Sequence, residues 1–105
     1  MHPLLLLAAL SSQITFNTVQ QGEMYTITPQ VVLTQPCVCQ VQISALRKGE
    51  GGQSTTQQRN TVSFNANQPQ ALSHLSFNIG PRDTVKITVT VSDGQSLLLS
   101  QQWSP

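Results

Sequence analysis

Cys37-Val38-Cys39-Gln40-Val41-Gln42-Ile43-Ser44-Ala45 alternates without a break between two kinds of residue. Successive side chains of an extended strand point to opposite faces, whereas a helix would scatter them around its axis. Cys37, Cys39, Val41, Ile43 and Ala45 therefore share one face, with Val38, Gln40, Gln42 and Ser44 on the other. The cysteines turn inward with the aliphatic residues. A second stretch, Thr84-Val85-Lys86-Ile87-Thr88-Val89-Thr90-Val91, repeats the pattern, with its valines and isoleucine inward and a threonine row carrying Lys86 outward. Such a sequence fits a half-solvated antiparallel sheet.

Outward from these two runs, turn residues cut the chain into short pieces. Breakers stand at Gln21-Gly22, Pro29, Pro36, Gly49-Glu50-Gly51-Gly52, Asn67-Gln68-Pro69, Gly80-Pro81 and Asp93-Gly94. The strands expected between them cover 13–19, 24–28, 31–34, 37–46, 61–64, 72–79, 84–91 and 96–103. No amphipathic stretch of period 3.6 outlasts two turns. Seven or eight strands in 105 residues predict a single all-β domain built as a sandwich. Gly49 to Gly52 read as a hairpin loop, and Gly51 to Asn60 as a polar tract.

The last hairpin allows its register to be argued. A two-residue Asp93-Gly94 loop would leave Leu97, Leu99 and Trp103, the only tryptophan, facing solvent. A three-residue loop, with Ser92 and Asp93 in a type I turn and Gly94 left-handed, places Val89 opposite Leu97 and Ile87 opposite Leu99. Leu98 is then exposed.

Composition narrows function. Charged residues make up 9% of the chain, against roughly 25% in an average soluble protein, and the formal net charge is +1. Such a chain has no broad basic field for nucleic acid or an acidic membrane. With 38% hydrophobic and 5% aromatic residues, the interior must be small and aliphatic. Residues 4–10 form an apolar run far shorter than the ~20 residues of a membrane span, so no transmembrane helix is expected. The run fits the core of a secretory signal whose basic start is missing, implying an upstream start or a truncated signal; the competing reading is a buried first strand. Export is the expectation, with a short signal-like segment over 1–8, one domain over 9–105, and a mature start near Ala9 to Ser12.

Catalytic residues are scarce. The four acids are Glu23, Glu50, Asp83 and Asp93, and the one histidine beyond residue 2 is His74. Neither a nucleophile elbow, a Walker loop nor a zincin helix is present. A metal set of Cys37, Cys39 and His74 lacks any feature that brings His74 to the pair, so neither metal nor cofactor is expected. Cys37 and Cys39 are the most unusual chemistry. Two residues apart in a strand is ~6.6 Å at Cα, wide for a disulfide with its Cβ atoms near ~3.8 Å. Bridging them needs a local bend, which Pro36 could supply, and a strained bond would be easy to reduce. The reading preferred from sequence is a pair of free thiols serving as small core residues.

Four pieces of the chain together resemble one family: Leu4 to Asn17, the Cys-x-Cys at 37–39, Val-Ser-Asp-Gly-Gln-Ser-Leu at 91–97, and Leu-Ser-Gln-Gln-Trp at 99–103. In order and spacing they are similar to the CsgC family of curli assembly proteins. The resemblance implies an exported periplasmic protein with an immunoglobulin-like, seven-stranded antiparallel β-sandwich, and a monomer is the expected state. It also implies a chaperone-like function: keeping curlin subunits from polymerising into amyloid before they leave the cell. An alternative implied by the same family is a thiol-disulfide oxidoreductase that acts through Cys37 and Cys39 on curli secretion or assembly components. Members carry a basic residue after the second cysteine, where this chain has Gln40.

Two non-enzymatic alternatives compete with this reading. A fibre-forming subunit would need an internal repeat of roughly 20 residues, and no segment recurs; a generic adhesion sandwich is excluded by the resemblance alone. An inhibitor would meet its partner through a strand edge or an outer face. The basic residues available for partner binding are Arg47, Lys48, Arg59, Arg82 and Lys86. Taken singly, each is better explained as a solubilising or edge-protecting charge; only a shared face would favour function.

Overall fold

The computed structural model describes residues 11–105. The export segment expected over 1–8 lies outside the described residues. Eight strands follow one another: β1 (Gln13–Gln21), β2 (Met24–Val32), β3 (Cys37–Gly49), β4 (Gly52–Phe64), β5 (Gln70–Ala71), β6 (Leu75–Asn78), β7 (Thr84–Ser92) and β8 (Leu98–Trp103). One sheet runs β1-β2-β5, with β6 also paired to β2; the other runs β4-β3-β7-β8. All strand pairs are antiparallel. The result is an all-β, immunoglobulin-like sandwich with eight strands rather than seven. Among the described residues no helix is long and apolar enough to cross a membrane.

The extra strand has a local cause. Sequence separates 24–28 from 31–34 at Pro29, yet β2 runs straight through it, with Pro29 opposite Phe16 of β1. Pro29 offers its carbonyl to Leu72 N at 2.9 Å. N–H and C=O of one strand residue point to the same side, so the donor that proline lacks would also have faced that side. There the neighbouring strand is broken: β6 pairs with residues 24–27 and β5 with residues 30–31. Placing the gap opposite Pro29 keeps a proline inside a central strand; of the strand expected over 72–79 only β6 (75–78) forms, and β5 at 70–71 lies before the expected start.

Inward alternation builds the core as the sequence reads. Ile27 and Val31 of the first sheet meet Val41, Ile43, Ala45, Val85, Ile87, Val89 and Val91 of the second, all buried. Tyr25 and Trp103 join the sheets at one side, edge to face with centroids 6.1 Å apart. Such aromatic pairs stabilise beyond the area they bury. Trp103 thus faces inward and Leu98 outward, as expected, and Gly94 has the positive φ of 83°. The register differs. Val91 pairs with Leu99, Val89 with Gln101 and Ile87 with Trp103. Asp93 N donates to Leu97 O, so the loop is Gly94 to Ser96, starting two residues later than expected. Asp93 holds it there: its Oδ1 accepts the amides of Gln95 at 2.8 Å and Leu97 at 3.0 Å. Those bonds hold its carboxyl below the usual aspartate range. Because the shift is by an even number of positions, every side chain keeps its face.

The largest departure is β4. Only 61–64 reads as strand by alternation, but the strand begins at Gly52 and pairs with β3 over its whole length, from Gly49↔Gly52 to Cys37↔Phe64. Val62 and Phe64 reach the core; residues 52–61 are all exposed on both faces. A strand that overhangs the sandwich needs no apolar face, which is why the tract from Gly51 to Asn60 carries no strand signal.

Candidate partner-binding face

Every one of the eight strands lacks an acidic residue. Glu23, Glu50, Asp83 and Asp93 all lie in connections, while Arg47, Lys48, Arg59 and Lys86 all lie on strands of the second sheet. Register sorts these four cations. Even-numbered residues of β3 and β7 point outward, opposite the buried odd-numbered ones. Lys48 and Lys86 are both on that outer face, in adjacent cross-strand pairs (Lys48↔Thr84 and Leu46↔Lys86). This diagonal relation sets them roughly 7–8 Å apart. Arg59 pairs with Gln42 and therefore shares the face, two strands and four residues from Lys86, on the order of 17 Å away.

Arg47 and Arg82 do not join them. Arg47 lies on the opposite side of β3 and pairs with Asp83 at 3.3 Å. Asp83 also accepts the Gly80 amide at 3.0 Å, and a Cβ on Gly49 would collide with its carboxylate. This knot closes the end of the sandwich. Arg82 pairs with Glu50 at 2.6 Å, both exposed, tying the loop after Gly80 to the β3–β4 turn. Of the five predicted basic residues, three form a common face without an acidic partner and two serve the fold at its end.

Between Lys48 and Lys86 the outer face is concave, with a volume of about 740 Å³ lined also by Leu46, Gln101 and Gln102. Toward the cysteine end, the same face carries two exposed apolar side chains, Val38 at 70% and Leu98 at 68% exposure. The face is therefore cationic at one end and apolar at the other, over a bed of Thr, Ser and Gln. Charges so arranged raise the encounter rate with an acidic chain more than they add affinity. Exposure of β4 is the feature that sequence reasoning missed. The one available signal was the Gly49 to Gly52 turn, about which a strand as long as β3 can fold back.

Cys37 and Cys39 are joined as a disulfide, which corrects the expectation of free thiols. Their Cα atoms are 5.5 Å apart, about 1 Å less than in a straight strand and within the range disulfides require. Cys37 is the first residue of β3, directly after Pro36, so the chain can bend there without breaking the ladder beyond. Cys39 is 1% exposed and packs in the core, while Cys37 is half-buried. His74 lies in the link between β5 and β6, not in a strand, and its Nδ1 bonds Thr28 Oγ1 at 2.6 Å.

The model of the thin aggregative fimbriae synthesis protein family, Tafi-CsgC, matches residues 5–103. Curli assembly protein CsgC of Salmonella typhimurium is 69% identical over 105 residues, covering 100% of this chain and 97% of that protein. The Escherichia coli K12 protein of that name is also 69% identical over 105 residues, with 100% and 96% covered. Among solved structures, E. coli curli protein CsgC superposes with a TM-score of 0.86 at 68% identity, covering 90% of this chain and 100% of that one. R. palustris CsgH, at 15% identity and a TM-score of 0.70 over 90% of this chain and 93% of its own, shares the fold. A full-length match at this identity, on the same sandwich, leaves one conclusion: the chain belongs to the CsgC family of curli assembly proteins.

Proposed function

We propose that this chain is an exported, periplasmic, monomeric inhibitor of curlin polymerisation that works by binding, without enzyme chemistry or a cofactor. Membership in a curli assembly family supplies the pathway, and the observation that carries the mechanism is the acid-free second sheet with Lys48, Arg59 and Lys86 on one face. A partly folded partner with acidic residues is drawn to that face and held on a surface whose other contacts are polar. Arg47 and Arg82, paired with Asp83 and Glu50, position the end of the sandwich instead of meeting the partner.

The oxidoreductase reading finds less support. One sulfur of the pair belongs to a residue sealed in the core, and among the described residues no helix N-terminus or neighbouring cation is placed to activate the other. The deciding experiment mixes curlin subunit with a substoichiometric amount of this protein and follows fibre formation by dye fluorescence. A lengthened lag is the expected result, and an unrelated immunoglobulin-like sandwich should leave the lag unchanged. A lag equal to that of curlin alone removes the proposal.

A further inference from the structure

Strand β4 presents an unusual edge. Beyond β3 it has no hydrogen-bonded neighbour, so on alternate residues of Gly52–Phe64 the N–H and C=O groups point outward, away from β3. Edges of this length are normally blunted by proline, a bulge or several charges. β4 contains no proline, its register with β3 is unbroken over the full strand, and Arg59 is its one charge. The other long edges differ. β1 and β8 pack against each other across the two sheets, closing that side of the sandwich. On the β4 side the sheets stand apart, leaving a groove of about 330 Å³ lined by Val41, Ile43, Asn60, Val62, Ala71 and Leu72.

We infer that the outer edge of β4 is the docking strand for an extended partner segment rich in Gln and Asn and carrying acidic residues. This deepens the proposed function and rests on it for the identity of the chain that supplies the segment. Three features select this occupant. Free backbone groups of β4 accept any extended chain, as in strand addition to a sheet edge. Exposed Gln53, Gln57, Gln58 and Asn60 offer side-chain amides that ladder with like amides on a paired strand. Arg59 in mid-strand, with no acid anywhere on β3 or β4, favours a segment bearing carboxylates and disfavours a second copy of β4, which would bring arginine toward arginine.

Side chains on one face of the added segment enter the groove at Val62 and Leu72, while those on the other lie beside the cationic outer face. The sheet extended by the new strand ends on its far side at β8, a six-residue edge beside β1 that offers a second segment about half the backbone length of β4. A growing cross-β end that takes β4 as its next strand is closed by a folded domain.

Backbone hydrogen exchange on the intact protein tests this, with two probes: freshly unfolded curlin subunit, and a synthetic acidic Gln/Asn-rich peptide beside a control in which its acids are lysine. Outward-pointing amides within Gly52–Phe64 should slow by about tenfold or more with curlin and with the acidic peptide, but not with the lysine control. A complementary pair of variants, Gln57→Pro and Gln58→Pro, places the missing donor on the outer edge in one case and in the β3 ladder in the other. Whichever variant retains the wild-type circular dichroism and melting curve should lose lag extension. Several outcomes overturn the inference: protection confined to β1 or to β7 and β8, equal protection with the lysine control, protection that grows with protein concentration alone, or a folded proline variant that inhibits fully. Failure of wild-type protein to delay curlin would instead remove the proposed function, while edge protection by the acidic peptide would still stand.

Discussion

A bridge between Cys37 and Cys39 closes a loop so short that it removes little freedom from the unfolded chain, about 1.6 kcal/mol in the loop-entropy account. Reduction alone should therefore lower the unfolding free energy by about 1–2 kcal/mol, read from urea denaturation with and without reductant. Replacing both cysteines with serine adds the burial of a hydroxyl at position 39 and should cost about 1–3 kcal/mol in all, with curlin inhibition retained. Loss of inhibition by the folded double variant would make the sulfurs participants in the function. Asp93 gives the second residue-scale prediction. The amides of Gln95 and Leu97 bond its carboxylate, so its folded pKa lies below the unfolded value. Its stabilisation of the loop is thus present above the ordinary aspartate value, near about 3.9, and is lost as pH falls through the lower folded value. Protection of the Leu97 amide, its exchange taken relative to the intrinsic rate at each pH, should fall over that acid window in the wild type and show no such fall in Asp93→Asn.

Elements of this fold are legible in the sequence in proportion to how much core they touch. In β7, valine and isoleucine at every second position leave no choice of face, and Ile87 and Val89 are fully buried. The same parity turns Trp103 inward even though the turn before it starts two residues later than the hydrophobic pattern suggests; alternation reports which face a side chain takes and nothing about its partner across the strand. Asp93 decided that register through bonds from its side chain to backbone, which no hydrophobic pattern encodes. β4 was mostly invisible because its first ten residues bury nothing, and β2 was cut at Pro29 because the gap that accommodates the proline lies in another strand. The three-cation face could be named only as a condition, since Lys48, Arg59 and Lys86 come from three strands. Energetics should follow the same division. Ile87→Ala is expected to cost about 2–5 kcal/mol, whereas Gln57→Ala should stay within about 0.5 kcal/mol, both by chemical denaturation.

At the scale of the whole molecule, a net charge of +1 conceals a segregated distribution: all four acids in the connections, four of the five Lys and Arg residues on one sheet. Reversing Lys86 and Arg59 together to Glu should leave the melting curve nearly unchanged, because exposed charges contribute little to stability, and should shorten the inhibited lag. Inhibition should also weaken with salt, as the screening length falls from about 10 Å at 0.1 M to about 3 Å at 1 M. Lag times insensitive to both changes, once the salt response of curlin alone is subtracted, would rule out electrostatic steering and leave edge contacts as the mechanism.

The long pairing of β3 with β4 has a consequence for the order in which the molecule assembles. Its strands are joined by the shortest of turns, Gly49 to Gly52, so its contacts are local and their closure entropy is small. Hairpins of this kind form within about 1–10 μs. Contact between β1 and β8, by contrast, must bring together the two ends of the described chain. Non-local contacts of that sort are made late and set the folding rate of a sandwich. Truncation of Val41 or Ile43 should accordingly slow folding, and truncation of Trp103 should chiefly speed unfolding. The edge that is last to be covered by any neighbour thus belongs to the element whose pairing is first to form, so the β3–β4 ladder should precede the β1–β8 seam and be held in place only as β7 packs on β3.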